Sequence, residues 1–314
     1  MTAAPRERAS IAVPATSANI GVGFDCLGLA VSLEARFEVE RADALEIEGC
    51  DPAFAGEDNL FYLSMLYGLR AWGEEPFPIR LRIDTDVPLA RGLGSSSTLV
   101  VGGLVAAAAL TGREVDRTEL TALATRLEGH PDNVAPAIWG SLVCSFTPAG
   151  KRAEGCDGDV EPALPRIVRY PVADTLRFVC LIPPYEVRTS DARRVVPATV
   201  PLADAVWQMG RIAGVTRALE AGDVELLVSA LDDRLHEPYR SALIPEYGDV
   251  AALCARHGTR PWISGSGSTM MAAVAEKGAA FSPNAKHLAE EARELFPGFD
   301  VHVLACDARG VRLT

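Results

Sequence analysis

The chain has 314 residues, 48% hydrophobic and 23% charged, with a formal net charge of −12. These fractions exclude a disordered or collagen-like chain, and the length suits about two domains of roughly 150 residues, each with a core of its own. The longest apolar-or-glycine run, Leu99 to Leu110, is too short for a bilayer span of about 20 residues, and an acidic surface repels nucleic-acid phosphates and anionic lipids.

The N-terminal residues MTAAPRERAS carry no apolar stretch behind their arginines, so no secretory signal is expected. The cysteines at 26, 50, 144, 156, 180, 254 and 306 contain no C-x-x-C pair, which removes the usual zinc signature and suits a reducing compartment. The expectation is a soluble cytoplasmic protein with neither nucleic-acid nor membrane partners.

In chain order, Ala35–Val39, Leu45–Ile47 and Ile79–Ile83 alternate as half-buried strands, and Asn59–Trp72 carries Leu60, Leu63, Leu66 and Tyr67 at helical spacing. Val100–Leu110, small and apolar all round, predicts a buried helix. Asp116 reads as an N-cap with Glu119 completing a near capping box, and Gly129 as the residue that closes that helix. Pro148–Pro165 is polar, aperiodic and rich in glycine and proline, the best boundary candidate. Beyond it come a strand at Arg177–Ile182, helices at Ala203–Glu220 and Asp223–Leu235, strands at Thr269–Val274 and Val301–Cys306, and a helix at Ala285–Phe296 between them. The pattern is α+β, with domains expected at residues 1–165 and 166–314.

Four segments carry chemistry. Pro88-Leu-Ala-Arg-Gly-Leu-Gly-Ser-Ser-Ser-Thr98 runs straight into the buried helix. Gly92 and Gly94 permit close backbone approach, and the free amides of a helix N-terminus suit a phosphate chain. It is no Walker A loop, since the first lysine is Lys151, and no Rossmann fingerprint, since Ser97 stands where the third glycine belongs. Val13–Gly28 sets Asn19 and Asp25 in a glycine-punctuated turn, and Glu128-Gly-His-Pro-Asp-Asn133 gathers polar groups at a helix end. Ile263-Ser-Gly-Ser-Gly-Ser-Thr269 opens a strand. Arg193 in Thr189–Arg193 and Arg240 in His236–Arg240 are cations of unassigned purpose. Taken singly, each has an ordinary reading: a capped loop, an Asx turn, a solvated helix end, surface charges.

Taken in order and spacing, these segments resemble the three motifs of the GHMP small-molecule kinases. The phrase Pro-Ala-Thr-Ser-Ala-Asn-x-Gly-x-Gly-Phe-Asp-x-Leu-Gly in Val13–Gly28, with Glu128–Asn133 and Glu237-Pro-Tyr-Arg240, is similar to the homoserine kinase branch. The resemblance implies an N-terminal domain like the second domain of ribosomal protein S5 and a ferredoxin-like C-terminal domain. It implies ATP and Mg2+ as cofactors, L-homoserine as substrate and a homodimer. Pro88, Leu89, Ala90, Arg91, Gly92, Leu93, Gly94, Ser95, Ser96, Ser97 and Thr98 would hold ATP, with Asn59 reaching the adenine. Ser96 and Glu128 would hold the metal. Asn19 and Asp25 would meet the substrate's amino end, Arg193 and Arg240 its carboxylate, and His130, Asp132 and Asn133 would line the pocket near its hydroxyl.

The residue chemistry fits that substrate. A zwitterion needs an anion for its ammonium and an arginine fork for its carboxylate. Phosphoryl transfer through a loose transition state needs positioning and charge neutralisation more than a strong base, and no residue is assigned as one. The competing expectations are a GHMP kinase of another small alcohol, and a non-catalytic ligand-binding relative with an eroded phosphate loop.

Overall fold

The computed structural model describes residues 5–114, 116–146, 164–276 and 285–314. Among them the strands form a seven-stranded and a four-stranded sheet. The first contains β1 (Arg8–Ala18), β2 (Leu27–Arg41), β3 (Glu46–Glu48), β4 (Ile79–Thr85), β5 (Leu142–Phe146), β6 (Arg166–Tyr170) and β11 (Arg312–Leu313). The second runs β10 (Asp300–Leu304), β7 (Leu176–Ile182), β9 (Met270–Ala275), β8 (Pro261–Ile263), antiparallel throughout.

Strand β4 shows why the first sheet has one wet face. Ile79, Leu81 and Ile83 point to the core, while Arg80 and Arg82 face out beside Glu38, Glu40, Glu46 and Glu48 of the neighbouring strands. The core face is covered by α1 (Leu60–Ala71), α2 (Ser95–Thr111), α3 (Arg117–Glu128) and α4 (Val134–Trp139). Helix α2 lies at the centre and is buried from Ser97 to Leu110 except at Leu99. Its glycines set how closely the helices cross: a Cβ on Gly103 would fall 2.2 Å from the Phe61 carbonyl oxygen of α1. Around the second sheet lie α5 (Thr189–Arg194), α6 (Leu202–Ala221), α7 (Val224–Ala230), α8 (Glu237–Arg240), α9 (Tyr247–Arg256) and α10 (Ala285–Leu295).

The two sheets are laced together by the chain. Strand β6 pairs with β5 in the first sheet, and the C-terminal β11 returns to pair with β1. The Pro148–Pro165 excursion, except for its last two residues, lies outside the described residues.

Two local expectations are corrected. The capping box at Asp116 is half-formed. Asp116 accepts from the Thr118 amide at 2.8 Å, but Glu119 turns away to accept from the Trp72 indole at 2.8 Å and from Arg113. The helix expected over Asp223–Leu235 stops at Ala230. The Asp233 carboxylate takes the amides of Leu235, His236 and Glu237 at 3.2, 2.8 and 2.7 Å and starts α8 instead. A short acidic side chain that bonds local amides competes with helix continuation in this way.

Candidate active site

Three loops and one helix start meet at the seam between the sheets. Gly94 precedes α2 in the left-handed conformation (φ 67°) with no side-chain cap. The first intrahelical bond at this end is from the Thr98 amide to the Gly94 carbonyl, which leaves the amides of Ser95, Ser96 and Ser97 facing outward at the positive end of the dipole. The glycine before it is fixed by contact. A Cβ on Gly92 would lie 2.2 Å from the Ser264 carbonyl oxygen, and the Ser264 hydroxyl donates to the Gly92 carbonyl at 2.7 Å. The Ile263–Thr269 loop therefore buttresses the phosphate-type loop from behind.

That buttress also organises the first motif. Gly265 offers its carbonyl to the Asn19 amide group at 2.9 Å and to Arg240 Nη1 at 3.0 Å. Asn19 Oδ1 in turn accepts from the Asp25 backbone amide at 3.0 Å. Asn19, Ile20 and Asp25 all sit at positive φ, 72°, 43° and 56°. Left-handed geometry at non-glycine residues, one of them β-branched, costs energy and clusters at functional sites.

A pocket of about 150 Å³ opens between these parts, and thirteen of the expected site residues line it: Ala90, Gly92, Gly94, Ser95 and Ser96 of the loop and helix start, with Asn19, Asp25, Glu128, His130, Asp132, Asn133, Arg193 and Arg240 around them. Asp25 and Arg193 face each other as a two-pronged pair, both contacts at 3.1 Å. Arg240 is 3% exposed; Nε donates to the Ala192 carbonyl at 3.1 Å, and the guanidinium stands 4.9 Å from the Phe24 ring. Desolvation by burial lowers its pKa from the usual arginine value. His130 Nδ1 lies 2.6 Å from Asp132 Oδ1, and this contact raises the imidazole pKa. Asn133 Oδ1 accepts from the Thr16 hydroxyl at 2.8 Å.

Glu128 ends α3 opposite the start of α2. Burial pushes its carboxyl pKa up, and the Ser96 hydroxyl bonded to it pulls the other way. A half-buried carboxylate and a hydroxyl at a helix start are hard oxygen donors of the kind Mg2+ takes, with phosphate oxygens and water completing the shell. Among the described residues no three His, Cys, Asp or Glu side chains gather as a self-sufficient metal site. The donor set thus fits an ion shared with a phosphate ligand.

A second, apolar cavity of about 530 Å³ shares Ala90, Ser95 and Ser96 with the first. Its walls include Phe37, Cys50, Phe54, Val87, Leu89 and Leu99. An apolar slot beside a phosphate-type loop suits a nucleoside base. Of the residues expected to hold ATP, Leu89, Ala90, Ser95, Ser96 and Thr98 line this cavity, as does Asn59, the one residue named for the adenine. Its carboxamide, however, is engaged as the N-cap of α1: Oδ1 accepts from the Phe61 and Tyr62 amides, and Nδ2 donates to the Phe54 carbonyl at 2.7 Å. Pro88, Arg91, Leu93 and Ser97 line neither cavity. Leu93 is buried and its carbonyl anchors the Thr16 amide; Arg91 turns to Glu186. The sequence reading missed Arg188 and Ser266, which line the smaller pocket. Arg188 directly precedes the Thr189–Arg193 segment, the one signal that could have found it.

The family profile described as the GHMP kinases N terminal domain matches residues 59–141. A homoserine kinase of Clostridium botulinum (strain Okra / Type B1) is 38% identical over 293 residues, 91% of this chain and 94% of that protein. One of Caldicellulosiruptor saccharolyticus is 35% identical over 306 residues, 96% and 95% of the two chains. The crystal structure of homoserine kinase from Cytophaga hutchinsonii matches with a TM-score of 0.82 at 28% identity, covering 99% of this chain and 98% of that one. A mevalonate kinase structure at 12% identity shares the fold, with a TM-score of 0.68.

This fold and loop define a GHMP kinase, an enzyme that transfers phosphate from ATP to an alcohol. Within that class the chain belongs to the homoserine kinase family.

Proposed function

We propose that this enzyme transfers the γ-phosphoryl group of ATP to the side-chain hydroxyl of L-homoserine, giving O-phospho-L-homoserine for threonine biosynthesis. The observation that carries the reading is the placing of one carboxylate and two guanidiniums, Asp25, Arg193 and Arg240, in the same small pocket as the uncapped start of α2. Homoserine has one positive group, one negative group and one neutral hydroxyl, and this pocket offers a counterpart for each charge.

The nucleotide base enters the apolar cavity, and the phosphates pass over Ser95 and Ser96, which both cavities share. Backbone amides of Ser95–Ser97 and the helix dipole offset their charge. Ser96 and Glu128 would hold Mg2+, which when bound neutralises phosphate charge. Asp25 takes the substrate's ammonium; Arg193 and Arg240 take its carboxylate. The hydroxyl is then presented toward His130 and Asp132. A protonated His130, favoured by Asp132, is a hydrogen-bond donor to developing phosphoryl charge and a poor base. Positioning and charge neutralisation carry the reaction, as a loose transition state requires.

The pairing of Asp25 with Arg193 belongs to this reading. Their side chains are 37% and 41% exposed, so the pair is worth at most about 1 kcal/mol. A zwitterion that inserts between them replaces one weak pair by two, at little cost. The cytoplasmic location, the homodimer and a domain division at 165/166, across which β6 and β11 return to the first sheet, stand with this proposal. Among the described residues, no helix is long and apolar enough to cross a membrane.

The test is ADP release in the presence of L-homoserine against 4-hydroxybutyrate, which has the hydroxyl and carboxylate but no ammonium. Strong turnover on the first alone supports Asp25 as the ammonium site; comparable turnover on both removes it.

A further inference from the structure

Three arginines line the smaller pocket, and two of them are engaged. Arg193 pairs with Asp25, and Arg240 gives Nε and Nη1 to the Ala192 and Gly265 carbonyls. Arg188 is the third. It is exposed at the pocket, and among the described residues its guanidinium meets no hydrogen-bond or ion-pair partner. Its fork of N–H donors is therefore open to a ligand.

The backbone that carries Arg188 is held at several points. Its carbonyl accepts from the Asp191 and Ala192 amides, both at 3.0 Å, where α5 begins. The Tyr185 carbonyl accepts from the Ser268 hydroxyl at 2.6 Å. Arg91, next to Gly92, donates to the Pro184 carbonyl at 3.3 Å and pairs with Glu186 at 3.3 Å. The segment is thus strapped to the phosphate-type loop and to the loop that buttresses it, while the guanidinium at its end is unheld.

The same segment marks the junction of the two cavities. Glu186 lines the apolar cavity, and Val187, Arg188 and Thr189 line the smaller pocket. Ala90, Ser95 and Ser96, which line both, form the facing part of the junction. In a kinase the group that lies between nucleotide and acceptor is the transferring phosphoryl itself. The other charges of the pocket have counterparts under the proposed function: Asp25 for the ammonium, Arg193 and Arg240 for the carboxylate, Glu128 for the metal, Asp132 for His130. The transferring phosphoryl spreads its charge over three equatorial oxygens, more than a metal and His130 cover between them. Arg188 is the cation left over.

We propose that Arg188 is a catalytic residue: its guanidinium swings onto the equatorial oxygens of the transferring phosphoryl group and stabilises their charge in the transition state. It is an arginine finger supplied by the chain itself. The acceptor oxygen bonds the γ-phosphorus as the bond to the bridging oxygen breaks, ADP leaves, and the hydroxyl proton passes to solvent. Arg188 exchanges no proton. The account of the other charges rests on the homoserine reading; the role of Arg188 needs only that ATP phosphorylates an alcohol in this pocket.

The test compares the wild type with Arg188→Met and Arg188→Lys, using whichever alcohol the wild type phosphorylates, so that a wrong acceptor assignment does not count against Arg188. Kinetics are paired with calorimetric binding of MgADP. They are also paired with trapping of MgADP–aluminium fluoride, a mimic of the transferring phosphoryl, in the presence of acceptor. For Arg188→Met the expected result is a kcat lower by about 100-fold or more, with the acceptor KM changed by less than about threefold. The Kd for MgADP should be unchanged and the trapped complex lost. Because the side chain holds no described neighbour, the Tm should stay at the wild-type value. Arg188→Lys keeps the charge without the fork and should recover part of kcat. Unchanged kcat with an intact trapped complex overturns the proposal and leaves Arg188 a surface charge. A raised acceptor KM with kcat held overturns it and makes Arg188 a third arm on the acceptor's carboxylate. Equal weakening of MgADP and of the trapped complex overturns it as well, and makes Arg188 a general nucleotide contact.

Discussion

Asp25, Arg193 and Arg240 are three charges with different tasks, and the structure separates them by burial. Arg193 is a half-exposed partner of Asp25 and can swing to a ligand; Arg240 is buried and held by two carbonyls. Arg193→Met is expected to raise the homoserine KM by about 10- to 100-fold, or 1.4 to 2.8 kcal/mol, with stability unchanged. Arg240→Leu should raise it as well, but also lower stability by about 1–3 kcal/mol, since the Ala192 carbonyl loses the Arg240 donor while the Gly265 carbonyl keeps Asn19. Steady-state kinetics with thermal melts separate the two; equal loss of stability in both would contradict this division. Glu128→Gln should lower kcat by about 100-fold and be partly relieved by excess Mg2+. Unchanged kcat removes Glu128 from the metal site. Which residues converge was largely legible in the sequence, because charged and glycine-rich segments carry their chemistry locally. Which atoms stay free was not. Asn59 and Asn19 read as ligand contacts, yet their carboxamides cap α1 and bridge to Gly265. The Asn59 cap is a local helix-start pattern that competes with the ligand reading, whereas the Gly265 partner of Asn19 lies 246 residues away, where no local pattern encodes it.

Helix α8 is only four residues long, yet it fixes Arg240, and its order comes from buried side chains. Asp233 caps its start. Glu237 Oε1 accepts from the Ile263 amide at 2.6 Å and so ties the helix to the buttressing loop. Burial pushes the Glu237 carboxyl up to about 8. A group whose pKa is raised on folding contributes stability that is complete below its unfolded value, 4.5, and is lost as pH rises toward 8. Thermal stability should therefore fall across that window, by at most about 1.4 kcal/mol per pH unit from this group. Glu237→Gln keeps the acceptor and should flatten that part of the profile; an unchanged slope would contradict the assignment. The helix over 95–111 offers the other element-scale test. Gly103→Ala places a methyl 2.2 Å from the Phe61 carbonyl oxygen and should cost about 1–3 kcal/mol, read by denaturant midpoint. Alternation in Ile79–Thr85 and the apolar run after Ser97 were readable because side-chain period follows backbone period. The early stop of α7 was not, because the Asp233 cap competes with an intact apolar pattern.

At the scale of the molecule, the site exists only because the two sheets share the chain. The loop before α2 comes from the first sheet's layer, while Arg193, Arg240 and the buttressing loop come from the second. Gly265 is where they join: its carbonyl takes Asn19 from one side and Arg240 from the other, and its amide donates to the Ala18 carbonyl at 3.2 Å. Composition and element order gave the α+β class, but neither the return of β11 to β1 nor the pairing of β6 with β5 has a local signal, since both are long-range pairings. The apolar cavity beside the loop was hidden for the same reason: Cys50, Phe54, Val87 and Leu99 are scattered singly and read as ordinary core. The central claim is that one pocket holds a zwitterionic amino alcohol against the phosphate loop. The most direct measurement is homoserine-dependent ADP release by the wild-type enzyme and by Asp25→Asn, with L-homoserine and 4-hydroxybutyrate as acceptors and the product identified by mass. The account predicts O-phosphohomoserine from the wild type, little turnover on the des-amino acceptor, and a preference for homoserine that collapses in Asp25→Asn. A folded, ATP-binding enzyme that uses both acceptors equally, or an Asp25→Asn variant that keeps the full preference, would contradict it.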